Sequence, residues 1–209
     1  MARPILHYFG IYGRGEVIRV LFIHHKADFE DHLVSFEEWP ALKTSGFAEF
    51  GQLPMVEIDG LKLVQTKAIL HYLGEKFGYI PRDPVLRYKM ESTLYLLEDF
   101  INGMISLFSG KDMEALTKYY ADNAARYLGY FNTRLTENHD GEGWYVGEAL
   151  TLTDLIMFEW LWDFFFRAGR EQFAHYVEAF PKLKAHFDRV LASSPELAAH
   201  HASRPVRPF

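Results

Sequence analysis

Residues 52–72 constrain the fold more than any other stretch of this chain. The run Gln52-Leu-Pro-Met-Val-Glu-Ile-Asp-Gly60 is closely followed by Leu63-Val-Gln-Thr-Lys-Ala-Ile-Leu-His-Tyr72. Proline cannot donate to a sheet ladder, so Pro54 must precede the strand Met55–Ile58, which leaves the backbone of Leu53 facing outward for an extended ligand. Asp59-Gly60 is a tight reversal between two short apolar runs, the signature of a β-hairpin. Gln65 and Thr66 then open an amphipathic helix, Lys67–Phe77. Unpaired N–H groups and the positive dipole end make such a terminus a carboxylate site.

The chain begins with an apolar strand, Pro4-Ile-Leu-His-Tyr-Phe9, that passes through Gly10-Ile-Tyr-Gly-Arg-Gly15 into the helical pattern Glu16–His25. Tyr8 therefore lies at a strand end, beside a glycine-rich turn and a helix N-terminus. There is no cysteine, so any thiol chemistry acts on a thiol that the substrate brings. A tyrosine hydroxyl that hydrogen-bonds a thiolate favours the charged form and lowers the thiol pKa from about 8.5. Arg14, on the next turn, adds a cation beside that anion. With twelve tyrosines present, most are half-buried aromatics; position singles out Tyr8.

A change of texture near residue 78 divides the chain. Up to Phe77 the order reads β-α-β-α-β-β-α, with Phe29–Val34 as second strand and Ser35-x-x-Glu38 as a capping box before an irregular helix. Gly78-Tyr-Ile-Pro-Arg-Asp-Pro84 breaks the pattern. Beyond it, Val85–Phe108 and Met113–Glu137 read as long helices, and Asn138–Gly143 as a turn. Thr151-Leu-Thr-Asp154 forms a second capping box, with Leu150 and Leu155 as its hydrophobic staple, ahead of a helix apolar on nearly every face and therefore buried. The expected division is an α/β domain at residues 1–78, a linker at 79–84 and an all-α domain at 85–209.

Two stretches, QLPMVEIDG and VQTKAIL, together with the strand-end Tyr8, resemble the glutathione site of the cytosolic glutathione transferases of the tyrosine type. Their wording is closest to the alpha class, while the short tail Arg204–Phe209 resembles the sigma class. The resemblance implies a thioredoxin-like N-terminal domain, in which Tyr8 occupies the place of the redox cysteine, and a helical C-terminal domain. It implies glutathione as co-substrate, with Tyr8 and Arg14 catalytic and Gln52, Leu53, Pro54, Gln65 and Thr66 binding the tripeptide. Trp39 and Lys43 match the sigma-class pair that holds the glycyl carboxylate. Asp99 and Arg126 match an acid and an arginine that reach the γ-glutamyl end, the acid doing so across a dimer. Phe50, directly before Gly51 and Gln52, matches the aromatic that inserts into the second subunit of a homodimer. A pocket for a small hydrophobic electrophile is expected at Phe9, Tyr12, Ile101, Ile105 and Phe108.

Composition sets further bounds. Twenty-two Lys and Arg against 28 Asp and Glu give a net charge of −6, with no basic stripe, so nucleic acid is not an expected partner. No apolar run spans a bilayer and the N-terminus lacks a signal-peptide core, so a membrane is not expected and a cytoplasmic location is. His24-His25 and His200-His201 cannot each offer two ligands to one ion, because adjacent helical residues diverge by about 100°; no metal is expected. Glutathione transfer to electrophiles is the activity implied. A sigma-type prostaglandin or lipid isomerase, a glutathione peroxidase, and a non-enzymatic ligandin or crystallin-like protein are the alternatives.

Overall fold

The computed structural model describes residues 2–110 and 112–205, without the side chains of residues 105, 106 and 108–110. Two compact units divide the chain: Met1–Tyr79 together with Ser194–Phe209, and Ile80–Ser193.

The first unit carries β1 (Ile5–Phe9), α1 (Gly13–His24), β2 (Glu30–Val34), α2 (Trp39–Thr44), β3 (Met55–Ile58), β4 (Leu61–Val64) and α3 (Thr66–Phe77). The strands order as β2-β1-β3-β4, with β1 and β2 parallel and the other pairs antiparallel. Leu6 stands opposite Val56, and these two side chains, with Tyr8 and Ile58, are buried on one face of the sheet. Ile18, Leu21 and Phe22 of α1 and Ile69 and Leu73 of α3 complete that core. On the other face Met55 opposite Val64 packs with Ala48, Phe47 and Leu53. The hairpin turn takes positive φ at Asp59 (53°) and Gly60 (78°), the conformation that an Asp-Gly pair provides at low cost.

Several local details differ from expectation. Helix α1 starts at Gly13, three residues before the expected Glu16, because its first turn packs against Tyr8. Ser35 and Glu38 do bond each other, Ser35 Oγ to Glu38 Oε2 at 2.8 Å, but they close a turn ahead of α2, which begins at Trp39. The compact units part between Tyr79 and Ile80, inside the segment 79–84 read as a linker, and they differ from the expected division only at the C-terminal end. The last helix, α9 (Pro195–Ser203), packs on α1 and joins the first unit.

The second unit holds α4 (Pro84–Gly110), α5 (Met113–Thr136), α6 (Leu152–Leu161), the short α7 (Ala174–Glu178) and α8 (Pro181–Ser193). Every residue of α6 is buried, as its all-round apolar sequence requires. Its N-terminus is fixed by Asp154, which accepts from the Thr151 backbone N–H at 2.7 Å and the Thr151 hydroxyl at 2.8 Å. At Trp162–Phe166 the helix widens into a π-turn. The aromatic crowd there is core packing: Phe158 stacks on Phe187 at 4.8 Å and Trp160 meets Phe100 edge-on at 5.3 Å.

Candidate active site

In the first unit a cleft of about 240 Å³ is lined by Phe9, Arg14, Trp39, Lys43, Gly51, Gln52, Leu53, Pro54, Gln65 and Thr66. Three elements that are far apart in sequence meet there: the end of β1 with the first turn of α1, the helix α2, and the loop and hairpin that lead into α3. Among the lining residues are two cations and no carboxylate. With the N-terminus of α3 opening at Thr66, the cleft suits an elongated ligand that carries carboxylates.

Its polar wall is held from within. Gln65 Nε2 donates to Gln52 Oε1 at 2.9 Å, linking the residue before Leu53 to the start of α3. Gln65 takes φ 68°, ψ 110°, a backbone conformation uncommon for a residue with a side chain and one that collects at ligand sites. The Leu53–Pro54 peptide is cis. The aromatic wall is Phe9, stacked on Phe36 at 4.7 Å and met edge-on by Trp39 at 5.7 Å.

Tyr8 is not among the residues that line the cleft; it is buried next to Phe9, which is, with its ring pressed onto the first turn of α1. A Cβ at Gly15 would come within 2.2 Å of Tyr8 Cδ1, so only glycine lets the tyrosine approach so closely. Burial pushes the Tyr8 hydroxyl pKa up, while the backbone N–H groups of Arg14 and Gly15 and the charges of Arg14 and Arg19 oppose that rise. The net result is a hydroxyl that stays protonated at neutral pH and can donate a hydrogen bond to an anion.

Eight of the residues expected to bind glutathione thus converge on one cleft: Arg14, Trp39, Lys43, Gln52, Leu53, Pro54, Gln65 and Thr66. Phe9, expected in an apolar pocket, lines that same cleft. Gly51 was not anticipated; its φ of 57° and the Lys43 carbonyl only 3.1 Å from where a Cβ would stand make it the close-approach residue between α2 and the loop. A glycine wedged between the aromatic Phe50 and Gln52 was the available sign. Tyr12 is buried beneath the C-terminal segment, its hydroxyl donating to the Pro205 carbonyl. Asp99, Ile101 and Arg126 belong to the second unit, where Arg126 bonds Asn123 Oδ1 at 2.8 Å and covers the Tyr127 ring. The side chains of Ile105 and Phe108 lie outside the described residues.

Residues 4–75 match the glutathione S-transferase N-terminal domain family, and residues 98–204 match the corresponding C-terminal domain family. The chain belongs to the glutathione S-transferase family. A relative named "Probable glutathione S-transferase 7" from Caenorhabditis elegans is 33% identical, with 97% of each chain covered. Glutathione S-transferase A2 of Mus musculus is 36% identical over 90% of this chain and 83% of its own. Among solved structures, the monomeric Na-GST-3 of the hookworm Necator americanus, a glutathione S-transferase, superposes with a TM-score of 0.85 at 29% identity over the whole of both chains. Membership in this transferase family fits the site: the family domain that spans residues 4–75 contains every residue that lines the cleft.

His24 Nδ1 lies 2.6 Å from the Tyr79 hydroxyl, and His200 Nε2 lies 2.6 Å from Glu16 Oε1.

Proposed function

We propose that this chain conjugates the thiolate of glutathione to small hydrophobic electrophiles, with Tyr8 as the thiolate's hydrogen-bond donor. The observation that carries the reading is the cationic cleft beside a buried, protonated tyrosine in a chain that has no cysteine of its own. Glutathione would lie extended along the hairpin edge, its cysteinyl backbone against Leu53 and its γ-glutamyl carboxylate at Gln65 and Thr66 on the positive end of α3. Trp39 and Lys43 would take the glycyl carboxylate. The thiol gives up its proton to solvent and the bound thiolate attacks the electrophilic carbon to form a carbon–sulfur bond; with an aryl halide the halide departs with the electron pair of the bond it loses, and with an enone the resulting enolate takes a proton from solvent. Glutathione brings the nucleophile, so the protein needs to supply only a donor and a cation.

A conjugation assay against a panel of electrophiles tests this, with a lipid hydroperoxide and a prostaglandin endoperoxide run alongside. Glutathione-dependent product with an aryl halide or an enone is the expected result. Turnover confined to the hydroperoxide or the endoperoxide would replace conjugation by peroxidase or isomerase chemistry, and no turnover with any of them would leave ligand binding as the function.

A homodimer is the assembly proposed, with Phe50 inserted into the second subunit and Asp99 reaching its ligand. Phe50 is 57% exposed, and α4 presents Val85, Tyr88 and Tyr95 to solvent along one helical face, a set that isolated surface residues do not explain. A buried interface aromatic contributes about 2 kcal/mol or more. Phe50→Ala is therefore expected to shift the dimer dissociation constant upward by about 30-fold or more and to weaken glutathione binding with it, read by sedimentation at several concentrations. A wild-type chain that sediments as a fully active monomer would refute both the interface and the shared site.

A further inference from the structure

The first turn of α1 carries a carboxylate that the proposed chemistry does not use. Glu16 is 2% exposed, yet its side chain meets three cationic or potentially cationic groups from two distant parts of the chain. Glu16 Oε2 accepts from Arg19 Nη1 at 2.8 Å; Oε1 lies 2.6 Å from His200 Nε2 and 3.5 Å from Arg204 Nη2. Both of the latter residues come from the C-terminal end of the chain, 184 residues away in the case of His200.

The same two groups of contacts enclose the turn on which Tyr8 rests. From inside, Arg19 donates to the carbonyls of Ile11 at 3.0 Å and Phe9 at 3.4 Å and bonds Asp31 Oδ2 at 2.9 Å. From outside, the Arg204 guanidinium covers the Tyr12 ring, 3.8 Å from its centroid, and the Tyr12 hydroxyl donates to the Pro205 carbonyl. Tyr12 is the residue immediately before α1 and has no side-chain capping bond to the helix, so the turn is oriented by what grips it. Glu16 lies at the centre of that grip. An anion in the first turn also favours the helix dipole.

We propose that Glu16 is a positioning residue for the thiol chemistry at Tyr8. By tying α9 and the following segment to the first turn of α1, it holds that turn against the Tyr8 ring and keeps Arg14 at the cleft. This role rests on the conjugation reading above. The mechanism is alignment: a donor whose ring is packed on a fixed turn presents its proton in one direction, and a turn that loosens by a fraction of an ångström misdirects it. The pKa of Glu16 itself supports an ionised centre. Burial raises it, but the His200 hydrogen bond and the Arg204 and Arg19 charges outweigh burial and hold it at about 2.

The test uses Glu16→Gln, which keeps shape and removes charge, and Arg204→Met, which changes no residue of α1 and removes one of the C-terminal partners of Glu16 together with its contact on the Tyr12 ring. The readout is the ultraviolet absorbance of enzyme-bound glutathione thiolate, titrated with pH, beside kcat and the KM for glutathione. In Glu16→Gln the thiol is expected to titrate about one pKa unit higher, with about a tenfold loss of kcat/KM at neutral pH that closes as pH rises. KM for glutathione stays within about threefold. Arg204→Met is expected to move the titration in the same direction by a smaller amount. Thiolate titrations that coincide with wild type in the folded variants would overturn the proposal, as would a loss of rate that is uniform across pH. If Glu16→Gln does not fold, the Arg204→Met titration alone decides. A wild-type protein that forms no glutathione thiolate refutes the conjugation reading itself, and the positioning role falls with it.

Discussion

Replacing Tyr8 by Phe is expected to lower kcat for conjugation at neutral pH by about a hundredfold, the usual cost of removing one donor aimed at a developing or resting anion. The ring would still fit: it packs on Gly15, where even a Cβ has no room, and phenylalanine keeps that contact. In the proposed mode, only the proton that would face the sulfur is lost. The bound thiol should then titrate about one to two pKa units higher, toward its value of about 8.5 in free solution, because the hydrogen bond acted on the charged form alone. The sign with pH follows directly. Below the raised pKa the variant holds neutral thiol and is slow; above it both proteins hold thiolate and their rates converge. KM for glutathione should remain within about threefold, since in the proposed binding mode the carboxylates and backbone of the tripeptide would be held by other residues. Steady-state kinetics from pH 6 to 10 would decide, and unchanged turnover at neutral pH would remove Tyr8 from the mechanism.

Asp154→Ala is expected to destabilise the protein by about 3–5 kcal/mol, which for a chain of this size is a fall in Tm of about 10 °C. Asp154 is wholly buried and accepts four hydrogen bonds: from the Thr151 N–H and hydroxyl, from the Tyr145 N–H at 2.8 Å, and at 2.8 Å from Nε2 of His186, which is also wholly buried. Removing one acceptor strands two backbone N–H groups and an imidazole in a dry interior, and stranded donors cost more than the bonds had contributed. The residue also joins the start of α6 to α8 through His186, so the loss spreads beyond one helix cap. Thermal or urea unfolding measures the effect. A Tm within about 2 °C of wild type would show that water or a neighbour replaces the carboxylate.

The capping box at Thr151 was visible as a short sequence pattern, because it is closed by residues that are neighbours in the chain. The Thr151-x-x-Asp154 box spans four residues and its bonds are local; its second duty, toward Tyr145 and His186, is not written in that spacing. The hairpin was equally legible: Asp59-Gly60 admits the positive φ that a two-residue reversal demands, and Pro54 can only precede the ladder. The early start of α1 at Gly13 was not legible. Glycine at positions 13 and 15 argues locally against a helix, and the turn forms there because the Tyr8 ring needs the space that a missing Cβ leaves.

The cleft divides along the same line. Tyr8, Gln65 and Thr66 were marked by their positions at a strand end and a helix start, which periodicity reveals. Gly51 was missed because its role is to let the Lys43 carbonyl pass close by, a contact between a loop and a helix that no period encodes. What the amino-acid order determined by itself was the inventory: which segments are strands or helices, and which ends carry hydroxyls, amides and cations. The tertiary structure alone decided that Tyr12 is covered by Arg204 and that a carboxylate at residue 16 is neutralised by groups near residue 200. The physical reason is one of range. Backbone propensity, capping and turn chemistry act within about four residues, whereas desolvated charges and close-packed rings choose partners by proximity in space, which the chain acquires only when it folds.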